Sequence, residues 1–340
     1  MNKEIQNLGQ QSLAVLKFLK ENQNESANKD RMAQLLGLNH EEIAEALRTL
    51  ETRGYQIVDD GRCGICLPHL PETLFPWDVE DGISTHYMGR VVRVFEQIDS
   101  TNTFAAQWVQ EGAPNGAVVA AEQQLSGHGR FNRSWASPAE KGIYFSLILR
   151  PDLQMAQVPM LTFLAAAAVA EALVKETGID AQVKWPNDIL VNGKKICGIL
   201  AEARPAKTRG KADYAIIGIG INVNHTENDF PTDCLAAATS VRLETGNKIF
   251  RAKLLQSILQ LMEYYYEEYK NKGFPWLHER WMKRNCTMGR QVKVNTNTEG
   301  IVEGETIGLS GQGGLLLRTA DGTVREFLAG DVSIGSANFR

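Results

Sequence analysis

Lys184-Trp185-Pro186-Asn187-Asp188-Ile189-Leu190-Val191-Asn192-Gly193-Lys194-Lys195-Ile196-Cys197-Gly198 reads as two short strands joined by a tight turn at Asn192-Gly193, a dipeptide that two-residue hairpins favour. A proline beside a tryptophan at a strand end is rare, and packing hardly explains an amide, a carboxylate and a lysine placed there. Lys195 opens an apolar strand, Ile196 to Ala201. A lysine in that position either snorkels to solvent or points into a site. No Walker-A succession of glycine, lysine and Ser/Thr surrounds it.

On either side of this hairpin the chain alternates strand-like and helix-like runs from Val91 to about Lys283. Met160 to Thr177 has a helix pattern closed by Gly178, and strand-like runs follow at 182–185, 189–191, 196–201 and 214–223. Residues 250–283 return to helix, broken near Gly273 and Pro275. Gln291 to Ile334 is a set of glycine-punctuated short strands, as in a small β-barrel. Toward the start, residues 8–20 read as a helix, and a second runs around Asp30 to Leu36 and stops at Gly37. Asn39 can cap a third, with Glu42 completing a capping-box pair and Ile43, Leu47 and Leu50 on its buried stripe. Ile57-Val58 and Ile65-Cys66-Leu67 then flank Asp59-Asp60-Gly61, a hairpin of the kind called a wing. Two short helices around a glycine turn are the helix-turn-helix signature. Pro68 to Pro76, with three prolines, reads as a linker.

The bulk numbers bound this picture. A chain of 340 residues needs two or three domains, and 43% hydrophobic with 22% charged residues suits a globular chain with a real core. A net charge of −4 gives no case for nucleic-acid binding across the whole chain, so any DNA contact must be local. Five scattered cysteines and no basic-then-apolar leader point to a reducing cytoplasm. The CxxC of Cys63 and Cys66 has no second pair, so no metal site is expected. The longest apolar run, Phe163 to Ala170, falls far short of a membrane span.

Three further signals join the hairpin in the middle of the chain. Asp99-Ser100-Thr101-Asn102 precedes a helical stretch; it suits an N-cap, and equally hydrogen bonds to a small polar headgroup. Gln124-Leu-Ser-Gly127-His128-Gly129-Arg130-Phe-Asn-Arg133-Ser-Trp135 offers glycines for close backbone approach and arginines for phosphate or carboxylate. Gly218-Ile-Gly220-Ile-Asn222-Val-Asn224 ends an apolar strand; strand packing explains its glycines better than its amides, which need partners if buried. Neither glycine run is a dinucleotide fingerprint, because Asn132 and Val223 stand where a third glycine is required.

In this order and spacing, the Ser-Thr-Asn triplet, the Gly-x-Gly-Arg loop, Lys-Trp-Pro-Asn-Asp, the downstream Lys-x-x-Gly-Ile and the Gly-x-Gly-Ile-Asn run resemble the biotin–protein ligases. The whole chain looks like their bifunctional ligase–repressor class. The resemblance covers residues near 1–65 and 90–335. It implies an α+β multidomain fold: a winged helix-turn-helix DNA-binding domain over 1–67, a linker over 68–88, a central mixed-sheet ligase domain of the biotin/lipoate type over 89–284, and a small SH3-like β-barrel over 285–340.

The implied chemistry has two halves. Biotin and ATP are the substrates, with Mg²⁺ neutralising phosphate, and biotinyl-AMP forms with release of pyrophosphate. A lysine of a biotin carboxyl carrier protein then attacks the mixed anhydride and releases AMP. Residue by residue, the resemblance places Ser100, Thr101, Asn102 and Gln124 around the ureido ring. Gly127, His128, Gly129 and Arg130 fall in a loop closing over biotin and the adenylate. It puts Lys195 at the junction of the biotin carboxylate and the α-phosphate, where positive charge stabilises the transition state. Trp135, Gly198 and Asn222 become ligand neighbours, and Asp188 a candidate base for the carrier lysine. The catalytic set is thus Lys195, Arg130 and Asp188. The loop departs from the family's pattern, which often has arginine at His128 and Phe131 and glycine at Asn132; fewer cations imply a looser adenylate complex.

The same resemblance implies operator DNA as a partner, read by Asn39, His40, Glu41, Arg48 and Arg62, and a homodimer formed once the adenylate is bound. Charge opposes the DNA reading, since eight lysines and arginines face ten acidic residues over 1–62. Glutamate can accept from cytosine N4, which keeps specific readout open. The rivals are a lipoate–protein ligase, which shares the catalytic architecture as a family relation, and a ligand-sensing transcription regulator without ligase activity.

Overall fold

A computed structural model describes residues 2–22, 28–59, 64–207, 210–296 and 300–334. After a two-residue strand, β1 (Lys3–Glu4), come three helices, α1 (Gln10–Glu21), α2 (Lys29–Leu36) and α3 (His40–Thr52). Asn39 caps α3 as its sequence suggests: Asn39 Oδ1 accepts from Glu42 N, and Glu42 Oε2 accepts from Asn39 N. Strands β2 (Gln56–Asp59) and β3 (Ile65–His69) pair antiparallel beyond them. The tip between those strands, with Arg62 and Cys63, lies outside the described residues.

The stretch expected to be a linker is packed. It carries a short helix, α4 (Pro76–Glu80), and Leu74, Phe75, Trp77 and Val79 are all buried. The apolar residues between its prolines have a core to enter, which outweighs the turn-forming composition. Glu122 accepts the Leu74 N–H and is held by Arg251 Nη2 at 2.8 Å. Burial pushes the Glu122 carboxyl up, and Arg251 pulls it back.

The central sheet is built from β4 (Val92–Ile98), β5 (Val118–Gln124), β6 (Gly142–Leu149), β7 (Gln182–Lys184), β8 (Asp188–Val191), β9 (Lys194–Pro205) and β10 (Ala212–Asn222), joined at its edge by β1. The order is β1-β4-β5-β6-β10-β9-β8-β7. Only β4 and β5 run parallel, because α5 (Thr101–Gln110) crosses between them; the other neighbours are antiparallel, consecutive strands at β5-β6 and β7-β8-β9-β10 and strands distant in sequence at β1-β4 and β6-β10. Asn192 and Gly193 turn β8 into β9 with φ of 51° and 76°, the geometry that asparagine and glycine tolerate. Helix α5 covers one face of the sheet; α6 (Pro159–Thr177) and α8 (Arg251–Met282) pack on the other, and a short α7 (Val241–Thr245) precedes α8. Length and composition alone would let the helix spanning Met155–Thr177 cross a membrane, unlike the eight-residue run read from sequence. It is instead 72% buried in the core. Gly273 breaks α8 with φ 72°, at the place its sequence signals.

Strands β11 (Gln291–Thr296), β12 (Gly300–Leu309), β13 (Leu315–Arg318), β14 (Val324–Phe327) and β15 (Asp331–Ile334) form an antiparallel sheet in the order β14-β13-β12-β11-β15. The expected barrel is not closed. A register shift between Thr306 and Gly308 interrupts β12, yet β14 and β15 remain unpaired with each other among the described residues.

Candidate functional site

The β8–β9 hairpin sets Asp188 opposite Gly198, so the carboxylate and Lys195 share one end of the sheet. Lys195 Nζ lies 2.7 Å from Asp188 Oδ1, and Lys184 Nζ lies 3.6 Å from Oδ2. The backbone of Lys195 is fixed on both sides, donating to Ala237 O at 2.7 Å and accepting from Thr239 N at 2.9 Å. Trp185, rare beside a proline at a strand end, is a packing residue. It is fully buried, and its indole N–H donates to Gly313 O in the turn between the second and third strands of the last sheet at 3.0 Å. Asn187 is pinned by donating to Ile199 O and accepts from Arg130 Nη1 at 3.1 Å.

Three glycines form the floor. A Cβ at Gly198 would come within 3.0 Å of Trp135 Cζ3, one at Gly220 within 2.5 Å of Trp135 Nε1, and one at Gly218 within 2.8 Å of Asn102 Cγ. Flat approach of Trp135 and Asn102 to β9 and β10 therefore requires glycine at these places. Gly220→Ala is expected to cost about 1–3 kcal/mol by overpacking. It should lower the thermal midpoint or, if the indole yields, shift Trp135 fluorescence and raise the ligand KM. A variant unchanged in all three would mean the indole does not rest on Gly220.

The loop before Trp135 folds back on itself. Gly129 N donates to Arg133 O at 2.8 Å and Trp135 N to Gly127 O at 2.8 Å, closing a small hairpin. Phe131 and Asn132 take φ of 57° and 54° at its tip, the left-handed region that makes glycine the easier choice for Asn132. Arg130 also donates to Gly330 O at 3.2 Å, and Arg133 pairs with Asp331. Burial lowers the Arg130 pKa, while Asp331 and Asp188 oppose that shift.

At the other end Ser100 occupies the N-cap position of α5, yet its side chain makes no capping bond. Gln124 Oε1 accepts from Thr101 N at 2.9 Å, and Gln124 Nε2 donates to Ser137 Oγ at 3.0 Å. Asn102 Nδ2 donates to Glu202 Oε2 at 2.7 Å, and Ser146 Oγ donates to Asn102 Oδ1 at 2.6 Å. Asn222 donates to Thr239 O at 3.0 Å. Asn224 closes a paired contact with the Ile249 backbone and is structural.

Ser100, Thr101, Asn102, Gln124, His128, Gly129, Arg130, Trp135, Asp188, Lys195, Gly198 and Asn222 all line one cavity of about 310 Å³. Gly127 does not line it; it supports the loop, where a Cβ would meet Trp135 O at 2.7 Å. The DNA-reading candidates sit apart. Asn39 caps α3, His40 lies 3.0 Å from Asp30, and Arg48 is held by Glu45 at 2.6 Å. Glu41 is exposed in the first turn.

Sequence reasoning missed several neighbours. Phe230 and Cys234, on the segment flanking Lys195, and Asp331, two hundred positions from the loop it meets, left no local signal. Glu202 did leave one, because it shares the face of β9 with Gly198 and Leu200 at period two. His225 also lines the cavity; burial pulls its pKa down to about 4, so the ring is neutral.

Residues 94–222 match the Biotin/lipoate A/B protein ligase family and residues 287–335 the Biotin protein ligase C terminal domain. Fold and site thus define a ligase of the biotin/lipoate class. The Bifunctional ligase/repressor BirA of Bacillus subtilis (strain 168) is 35% identical over 312 residues, 92% of this chain and 95% of that protein. Its namesake in Escherichia coli (strain K12) is 27% identical over 91% of this chain and 92% of that protein. The biotin protein ligase from Aquifex aeolicus, solved in complex with biotin and ATP, aligns with a TM-score of 0.62 at 31% identity, over 72% of this chain and 98% of that one. The chain belongs to the biotin protein ligase family.

Proposed function

We propose that this protein is an ATP-dependent biotin–protein ligase that forms biotinyl-AMP in the cavity and passes biotin to a lysine of a biotin carboxyl carrier protein. The observation that carries the reading is the donor and acceptor pattern at the Thr101 end. Glu202 as a carboxylate can only accept, so Asn102 turns its amide NH₂ toward it and its oxygen toward Ser146. Ser146 spends its one proton on Asn102. The Thr101 hydroxyl proton then has two acceptors inside the protein, Ser146 Oγ at 2.8 Å and Gln124 Oε1 at 3.1 Å. Thr101 is left with lone pairs for the cavity, and Gln124 with its second amide proton. An acceptor beside a donor complements the N–H and C=O of a cyclic urea. A dithiolane ring has neither, and a site built for such groups rejects a ligand lacking them. This favours biotin over lipoate.

Glu202 is on this reading a positioning residue, touching Asn102 and not the ligand. Glu202→Lys, a donor in place of an acceptor at an exposed position, is expected to raise the biotin KM roughly ten-fold with kcat nearly unchanged. Steady-state kinetics at saturating MgATP would show it, and an unaltered KM would remove Glu202 from the account.

At the opposite end Lys195 stabilises charge as the biotin carboxylate attacks the α-phosphate and pyrophosphate leaves. Arg130 and Arg133 offer charge to the phosphates, and the ordered loop keeps water from the anhydride. Asp188 takes a proton from the carrier lysine before the amine attacks the biotinyl carbonyl, the acyl–phosphate bond breaks and AMP leaves. Among the described residues no three metal-ligating side chains cluster, and Asp188 and Asp331 are already paired with Lys195 and Arg133. The donors present do not fit a resident metal, so Mg²⁺ enters as part of the substrate MgATP and no step is assigned to a protein-held ion. Incubation with biotin, MgATP and a carrier domain, followed by intact mass, tests the assignment: one added biotinyl group supports it, and an unmodified carrier with no biotin-dependent pyrophosphate defeats it.

The same proposal reads α1–α3 with β2–β3 as a winged helix-turn-helix over 1–67 and residues 285–340 as an SH3-like unit, flanking the ligase domain at 89–284. It makes the protein a cytoplasmic repressor whose adenylate-bound homodimer engages operator DNA through Asn39, His40, Glu41, Arg48 and Arg62. Relatives named as ligase and repressor support this part.

A further inference from the structure

Strand β1 is too short to hold itself on the central sheet, yet it closes the sheet's β4 edge. Lys3 and Glu4 pair antiparallel with Gln97 and Phe95, and Ile5 N donates to Val94 O at 2.8 Å before its side chain enters the core. Ordering each residue costs about 1–2 kcal/mol, more than so few ladder bonds return. Burial of Ile5 supplies part of the remainder, and Arg93 on β4 supplies the rest. Its guanidinium grips both Glu4 carboxylate oxygens, with Nε 2.6 Å from Oε1 and Nη2 on Oε2. Three aromatic rings aim that fork: Arg93 Cζ lies 4.8 Å from the Phe104 centroid, 5.1 Å from Trp108 and 5.7 Å from Phe95. Lys3 pairs with Glu96 alongside. A strand edge with a preset arginine receives an extended segment that carries a carboxylate at the matching position, the geometry of strand addition.

The segment filling it leads directly into α1. The helical unit is therefore tied to the catalytic sheet twice: ahead of α1 by Lys3–Ile5, and after β3 by the buried Leu74–Trp77 stretch, where Lys20 of α1 also reaches the buried Asp78 at 2.7 Å. One tether would let the unit swing; two, both entering the core that the helices share with the sheet, restrain it. We propose that the Arg93 edge of β4 is a docking groove whose occupant is the chain's own Lys3–Ile5 segment, and that this strap sets the orientation of the helical unit on the ligase sheet. It adds to the proposed function a device for holding one unit against the other, and it does not depend on which ligand fills the cavity.

The test uses the full chain. Glu4→Arg places two cations together; Glu4→Arg with Arg93→Glu restores the pair in reverse; Glu4→Gln is a milder break. Two readouts follow the strap: exchange of the Ile5 amide proton, and the distance distribution between spin labels on α2 and on β12. In Glu4→Arg the Ile5 amide should exchange roughly ten-fold faster or more and the distribution should broaden, Glu4→Gln should fall between, and the reversed pair should recover both. Pyrophosphate release should match wild type in all three, since neither residue lines the cavity. A narrow distribution in Glu4→Arg would overturn the strap, as would failure of the reversed pair to recover either readout while its thermal midpoint stays native.

Discussion

Lys195→Ala is expected to slow adenylate formation by roughly 10²–10³, the loss typical of removing one preset charge-stabilising donor. The side chain is held more firmly than a surface lysine. Its ammonium sits 2.7 Å from Asp188 Oδ1 and 5.4 Å from the centre of the Trp135 ring, and its backbone is bonded on both sides to the Ala237–Thr239 segment. A charge fixed in this way is in place before the reaction begins, so its removal falls on the rate and much less on biotin binding. Biotin-dependent pyrophosphate release measures the first half-reaction alone. A variant within about ten-fold of wild type would show that the lysine does not face the reacting phosphate.

Asp188→Asn should separate the two halves. Transfer from supplied biotinyl-AMP to the carrier is expected to fall about 10²–10⁴, the range for a lost general base, with adenylate formation much less affected. Asparagine keeps the shape of Asp188 and its place opposite Gly198 while removing the charge between Lys195 and Lys184. The carboxylate lines the cavity, where an amine arriving from a carrier can reach it in place of one of the two lysines that it pairs with. Equal loss in both half-reactions would mean instead that Asp188 acts by holding Lys195.

How much of this was legible in the sequence depends on the range of the interaction involved. The Asn39 cap, the Asn192-Gly193 turn and the break at Gly273 are local, and residue chemistry alone places them. The cavity was legible as an ordered set of motifs, each ambiguous by itself: Ser100 could as well have been a cap, and Gly218 and Gly220 mere packing. Their convergence on one cavity depends on sheet order, which no single motif encodes. What escaped was tertiary. Nothing near Trp185 announces its partner, a carbonyl 128 positions away. The proline-rich stretch after β3 had a linker's composition, and only the core beneath Leu74 and Trp77 shows otherwise. The barrel was inferred from strand spacing, which sets the number of strands but not whether the outer two meet.

The grip of Arg130 on Gly330 joins residues 200 positions apart. At ordinary rates of synthesis, about 5–20 residues per second, the ribosome makes the second partner roughly 10–40 s after the first. The nascent chain can thus lay down its central sheet and its glycine floor while Arg130 has only its Asn187 anchor. Competence to hold an anhydride away from water comes late, and a polypeptide stalled before Gly330 would carry nearly every residue of the cavity without a finished wall.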